Sequence, residues 1–239
     1  MEELKIKTTS KNYSVFIGAD ILNANNFQEF SGREILLVTD PNIELSARKK
    51  VAQLLYDISL KFSEISIEAN ETQSVNTIYL NNGKIIGHNT DAAGFELAIK
   101  YLKYNINKKR IFILGAGGVV PSIIFSLNKM QPSKIILSNR TRDKAENLKD
   151  LFKNVEIINW GEMPDFDMII NATSIGLKEE DEIKLDISNV GNNKIFYDVI
   201  YNPQETNFLK TGKNLGNITI NGKLMFIYQA FLAFKIWHN

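Results

Sequence analysis

The chain has 239 residues, with 28 Lys and Arg against 27 Asp and Glu for a formal net charge of +1, a balance that excludes a general attraction to nucleic acid or acidic membranes. It contains no cysteine, which excludes disulfides, thiol catalysis and Cys-ligated zinc. His88 and His238 are the only histidines and sit in no ligand spacing, so neither a metal centre nor a Ser-His-Asp triad is expected. The opening Met-Glu-Glu-Leu-Lys lacks the basic-then-apolar layout of a signal peptide. The longest apolar run, Leu224 to Phe234, is interrupted by Gln229 and too short to span a bilayer. A cytoplasmic protein with no membrane and no nucleic-acid partner is the expectation.

In chain order, Leu4 to Thr8 and Tyr13 to Ile17 read as strands around a polar turn, followed by a short helix at Ala19 to Asn23. Glu34 to Asp40 is a buried strand, and Ile43 to Tyr56 has helical periodicity. Asp40 is either a binding residue at a strand tip or a cap ahead of Pro41. Lys61 to Ile67 alternates as a strand does, and Glu68 to Ser74 is a polar loop. Val75 to Leu80 and Lys84 to Gly87 form a hairpin about Asn81-Asn82-Gly83. A helix then begins near Asp91, where the carboxylate is either its N-cap or a functional group.

The stretch Ile111-Phe112-Ile113-Leu114-Gly115-Ala116-Gly117-Gly118-Val119-Val120-Pro121 reads as a strand buried on both faces, a glycine turn and a helix start. Free amides and the helix dipole at such a turn suit a pyrophosphate, although glycine is also the default residue of a plain turn. Val120 stands where a strict G-x-G-x-x-G has its third glycine, so strand and helix should pack slightly further apart. The next strand, Lys134 to Ser138, ends in Asn139-Arg140-Thr141 with Lys144 one turn on. NAD sites place an Asp or Glu roughly 20 residues after the loop. Arg140 and Lys144 instead suit a 2′-phosphate, which predicts NADP; the alternative is a solvated basic loop.

Val155 to Ile158 is a third strand of this unit, Asp167 to Gly176 a fourth that runs into small hydroxyl and amide residues, and Lys194 to Pro203 a fifth with polar groups at its far end. Three strands ending in polar tips at the same edge imply one cleft there. Gly222 to Trp237 is helical, with Met225, Gln229 and Leu232 on one face. Gln229 is either a satisfied core amide or faces a bound hydroxyl. The expected fold is α/β, a Rossmann-type doubly wound parallel sheet with a smaller, atypical N-terminal α/β domain. Residues 1–100 would form that domain, 101–222 the NADP-binding domain, and 223–239 a helix packing back toward the first.

From Val75 onward the motifs resemble the shikimate dehydrogenase family. They are Val75-Asn76-Thr77, Gly87-His88-Asn89-Thr90-Asp91 with Gly94-Phe95, Gly115-Ala116-Gly117-Gly118, Asn139-Arg140-Thr141, Asn171 to Gly176, Asp198 to Pro203, and Gly222 with Met225 and Gln229. The resemblance implies reduction of 3-dehydroshikimate to shikimate with NADPH by a monomer or homodimer. It implies substrate contacts from Asn76, Asp91, Tyr201 and Gln229, with Asp91 one half of a catalytic Lys-Asp pair. Cofactor contacts would come from Gly115, Ala116, Gly117, Gly118, Val119, Asn139, Arg140, Thr141, Lys144, Thr173, Val199 and Gly222.

Residues 1–74 depart from that pattern. The family's Ser-x-Ser carboxylate clamp and its Asn-Val-Thr-x-Pro-x-Lys motif are missing, and Lys49, Lys50 and Lys61 lack the surroundings of the catalytic lysine. Tyr13 to Gly18, Leu36 to Asn42 and Asn70-Glu71 instead resemble the start of 3-dehydroquinate synthase, in which the positions of Asp40 and Glu71 would contact NAD. That enzyme's metal-binding and catalytic regions are absent. The expectations are therefore a dehydrogenase whose activity is impaired by the missing lysine, or an NADP-binding hybrid or regulatory protein without turnover.

Overall fold

The computed structural model describes residues 2–7, 12–17, 64–187 and 190–238. The expected elements at 19–23, 34–40 and 43–56, with Asp40, Lys49, Lys50 and Lys61, lie outside those residues. Strands β1 (Glu2–Lys7) and β2 (Asn12–Ile17) pair antiparallel, with Leu4 opposite Val15.

A small three-stranded sheet follows, ordered β3-β5-β4, from β3 (Glu64–Ile65), β4 (Thr77–Asn81) and β5 (Lys84–His88). The β4–β5 turn has φ of 50° at Asn82 and 76° at Gly83. Those two left-handed residues make the turn whose twist matches that of a hairpin. Between β3 and β4, the expected strand to Ile67 and loop from Glu68 give way to helix α1 (Ile67–Thr72). Ser66 caps it by accepting from the Ala69 amide at 3.2 Å, and Ala69 and Thr72 are buried three residues apart. A strong N-cap and an i, i+3 buried pair outweigh the polar composition that suggested a loop.

Helix α2 (Asp91–Tyr101) leads to the main sheet, formed by β6 (Arg110–Leu114), β7 (Lys134–Ser138), β8 (Val155–Ile158), β9 (Met168–Asn171), β10 (Ile195–Asp198) and β11 (Ile218–Ile220). All six are parallel, in the order β11-β10-β9-β6-β7-β8. The remaining helices are α3 (Val120–Lys129), α4 (Arg142–Leu151), α5 (Asn207–Asn214) and α6 (Lys223–His238). Strand β11 was not foreseen, because three residues are too few for a periodic signal.

Along β6 the side chains alternate between two cores, as pleating requires. Ile111 and Ile113 join Ile99, Ile123 and Leu127 on one face, while Phe112 and Leu114 join Phe166, Phe196 and Phe208 on the other. The chain runs from β6 outward to β8, returns to β9 beside β6, and continues outward to β11. The connections that leave the tips of β6 and β9 therefore diverge, and ligands of such sheets bind in that crevice.

Helix α6 packs along α2 and reaches β4, where the Trp237 indole donates to the Ile78 carbonyl at 3.1 Å. The two helices approach at Gly94, where a Cβ would stand 2.9 Å from the Gln229 backbone nitrogen. Gly94→Ala gains helix propensity but forces two backbones apart, and overpacking of this kind costs about 1–3 kcal/mol. The expected outcome is a net lower urea midpoint with unchanged m-value; an equal or higher midpoint would show that the crossing yields freely.

Candidate functional site

The crevice is an open cleft of about 380 Å³. Its floor is the turn Gly115 to Val119, its β7 side Asn139, Arg140, Thr141 and Lys144, and its other side Thr173, Val199 and Ile200. Gly115 has φ of +104°, and a Cβ there would lie 2.8 Å from the Ala172 carbonyl oxygen. Only glycine fits that backbone and that gap. A Cβ at Gly118, by contrast, would meet nothing within 4 Å. The Gly115 amide donates to the Ser138 carbonyl at 2.8 Å, whereas those of Ala116, Gly117, Gly118 and Val119 donate to no group among the described residues. Four free N–H groups at the start of α3 fit an anionic phosphate. Arg140 and Lys144 are exposed at the same cleft, and their side chains make no hydrogen bond among the described residues.

The opposite wall is held by buried polar groups. Asn171 accepts from the Thr173 amide at 3.1 Å and its hydroxyl at 2.7 Å, and donates to the Ile175 carbonyl at 3.0 Å and Asp198 Oδ1 at 3.1 Å. Asp198 also accepts from the Ile200 amide at 2.9 Å and Thr206 Oγ1 at 2.6 Å. Burial pushes its carboxyl up to about 6 even with those donors. Gly222 does not line the cleft but abuts it. A Cβ there would lie 1.9 Å from the Val199 carbonyl oxygen, so α6 can start against β10 only with glycine at this position.

Asp91 occupies the first turn of α2. It is not the N-cap: Thr90 holds that position with a helical φ of −98°, and Asn89 Oδ1 accepts from the Ala92 amide at 3.1 Å. Because Asn89 satisfies the helix end, the Asp91 carboxylate is left for other work. Asn76 Nδ2 donates to Thr90 Oγ1 at 3.0 Å, its Oδ1 accepts from the Thr90 amide and the Thr77 hydroxyl, both at 2.9 Å, and its amide favours the charged form of the Asp91 carboxyl. Burial pushes the Asp91 carboxyl up to about 6, against the lowering effect of Asn76. Gln229 lies against Gly94, one turn along α2, and Tyr201 stacks on Phe226 of α6 with ring centroids 4.5 Å apart. Asn76 is thus bonded to Thr90, the neighbour of Asp91, while Gln229 of α6 lies against α2 and Tyr201 is in contact with α6. Asn89 ties this region to the cofactor side, donating to Thr72 Oγ1 at 3.2 Å and Ser122 Oγ of α3 at 3.0 Å.

Comparison with known proteins extends the picture. Residues 96–185 match the family model for shikimate / quinate 5-dehydrogenase. A shikimate dehydrogenase (NADP(+)) of Pelagibacter ubique is 61% identical over 176 residues, which span 74% of this chain and 66% of that protein. The shikimate dehydrogenase (NADP(+)) of Methanococcus maripaludis is 32% identical over 247 residues, covering 99% of this chain and 85% of the relative. The chain belongs to the shikimate dehydrogenase family. A crystal structure of a shikimate dehydrogenase in complex with NADP+ superposes with a TM-score of 0.73 at 30% identity, over 92% of this chain and 77% of that one.

Among the described residues, burial is the leading cause of the rise at the Asp91 carboxyl, with the Asn76 amide opposing it. Sequence reasoning missed Asn171 and Asp198 as a pin beneath the cofactor loop, since their bonding depends on two strands far apart in sequence. It also missed Trp160, which lines the cleft just beyond β8; its place at a strand tip was the available signal.

Because the folded Asp91 binds its proton up to about pH 6 and an unfolded Asp only to about pH 4, native stability is lost as pH rises through that window. Asp91→Asn removes the penalty. Denaturation from pH 4 to 7.5 is expected to show the variant gaining on the parent as pH rises and equalling it at the acid end. A pH-independent difference would mean the carboxyl is not desolvated.

Proposed function

We propose that the chain is an NADP-dependent oxidoreductase acting on the shikimate/3-dehydroshikimate pair, as the names of its relatives indicate for those proteins. The observation that carries this reading is the coincidence of four unpaired amides, an exposed Arg140 and Lys144, and the Asn76–Asp91 pair on one connected framework. Gly115, Ala116, Gly117, Gly118 and Val119 would hold the pyrophosphate. Arg140, with Asn139, Thr141 and Lys144, would hold the adenosine 2′-phosphate, and Thr173, Val199 and Gly222 the nicotinamide end. NADPH, when bound, supplies the hydride for the carbonyl carbon.

The chain's own task is to bind the substrate and manage the proton at the carbonyl oxygen. Asn76, Tyr201 and Gln229 would hold substrate hydroxyls. The Asp91 carboxyl, pushed up to about 6, is largely ionised at neutral pH and is poised to orient the reacting hydroxyl and to accept its proton in the oxidising direction. The small-molecule partners are shikimate or 3-dehydroshikimate and NADP. A cytoplasmic monomer or homodimer, divided at about residues 100 and 222, is part of the same proposal.

For residues 1–74 we propose descent from the N-terminal part of 3-dehydroquinate synthase, supported by Tyr13 to Gly18, Leu36 to Asn42 and Asn70-Glu71. The match to the Methanococcus maripaludis relative covers 99% of this chain, which supports the substrate-side position for that segment. A second reading, an NADP-binding hybrid or regulatory protein without turnover, draws on the missing Asn-Val-Thr-x-Pro-x-Lys motif.

Oxidation of shikimate with NADP, followed at the nicotinamide absorbance, separates the two. Turnover is expected, reduced by about 10²- to 10⁴-fold in Asp91→Asn. Undiminished turnover in that variant removes Asp91 from the chemistry, and NADPH binding without turnover in the parent establishes the second reading. Arg140→Ala is expected to raise KM for NADP about ten- to hundredfold and leave that for NAD unchanged, since a hydrogen bond to a charged group contributes about 1.5–3 kcal/mol. Equal losses with both cofactors would place the 2′-phosphate elsewhere.

A further inference from the structure

We propose that the indole of Trp160 is the wall against which the adenine ring of the cofactor lies. The inference rests on the NADP reading of the cleft and adds to it a residue from a different strand.

Strands β7 and β8 pair in parallel with Ser138 opposite Ile158, so Asn139 to Thr141 and Asn159-Trp160 leave the sheet side by side at the same edge. Trp160 lines the same cleft as Arg140, Thr141 and Lys144. With the pyrophosphate on the Gly115 turn and the 2′-phosphate at Arg140, the ring beyond the ribose is carried away from β6 toward the β8 tip. That is where the indole stands.

The position is fixed in advance of binding. Asn159 accepts from Ser138 Oγ through its carbonyl at 3.0 Å and from Arg142 Nη1 through its side chain at 2.7 Å. Its backbone and side-chain amides donate to the Glu162 carboxylate at 3.1 and 2.6 Å. Gly161, with φ of +97°, supplies the turn between them. The residue next to Trp160 is therefore bonded to β7, to α4 and to its own loop. The indole is half-buried, packed on the core that contains Phe112, Ile136 and Phe166, and its N–H has no hydrogen-bond partner among the described residues. An aromatic ring backed by core on one side and open to a cationic cleft on the other suits a flat base attached to phosphate.

The chain has two tryptophans, Trp160 and Trp237, so Trp237→Phe leaves Trp160 as the sole tryptophan, read by excitation at the red edge where tyrosine does not absorb. The probe is adenosine 2′,5′-bisphosphate, which carries the adenine and the 2′-phosphate but no nicotinamide. In the Trp237→Phe protein it is expected to change Trp160 emission saturably. By calorimetry its Kd is expected to rise about tenfold in Trp160→Ala and to return close to the parent value in Trp160→Phe. Binding with unchanged emission in Trp237→Phe, or with equal Kd in the parent and a folded Trp160→Ala, overturns the role of Trp160 and leaves the cofactor site standing. Failure of the parent to bind the bisphosphate overturns the cofactor reading itself and the inference with it.

Discussion

The contact between Gly115 and the Ala172 carbonyl is the constraint on which the cleft depends. A Cβ at residue 115 would stand 2.8 Å from that oxygen, on a backbone whose φ of +104° already disfavours any side chain. The chain can turn there and remain against β9 only because nothing projects from it. From this point β6 passes to α3 with its amides unpaired, and β9 passes to the Thr173 loop. The two departures leave the space between them open. A parallel sheet whose chain reverses direction at its centre must open at that place, and the glycine brings the two strand tips together at its floor.

Polar groups then set what lies around the opening. Asn171 and Asp198 come from adjacent strands and meet at 3.1 Å in a fully buried position, which is tolerable because their other atoms are bonded to Thr173, Ile175, Ile200 and Thr206. Asn89 has the same part on the other side, spanning α1, α2 and α3 through Thr72 and Ser122. These amides are crosslinks between elements distant in sequence. Asn89 ties the start of α2, where Asp91 stands, to the helix that follows the glycine turn. Asp91 is left differently: one amide supports it, and burial does the rest.

Much of this was legible in the sequence. The uniformly apolar run Ile111 to Leu114, the glycines after it, and the basic tip Asn139 to Lys144 identify a buried parallel strand, a tight glycine turn and a cationic strand tip from residue type and spacing alone, because those properties are local. The Asn82-Gly83 hairpin is local in the same sense. Where local signals compete, the outcome needed the structure: Ser66 capping a short helix overrode the polar composition of residues 68–74, and Asn89 bonding the Ala92 amide removed the N-cap alternative for Asp91.

By itself, then, the sequence determined the α/β class, the strand–turn–helix unit and the polar residues with which the later strands end. The tertiary structure decided which of those tips stand together. The strand order, the Asn171–Asp198 bond, the approach of Gly94 to Gln229 and the place of Trp160 beside Arg140 all depend on pairings between segments tens of residues apart. Periodicity reports only which face of an element is buried. It carries no record of the neighbour that buries it, and a binding site is made of neighbours.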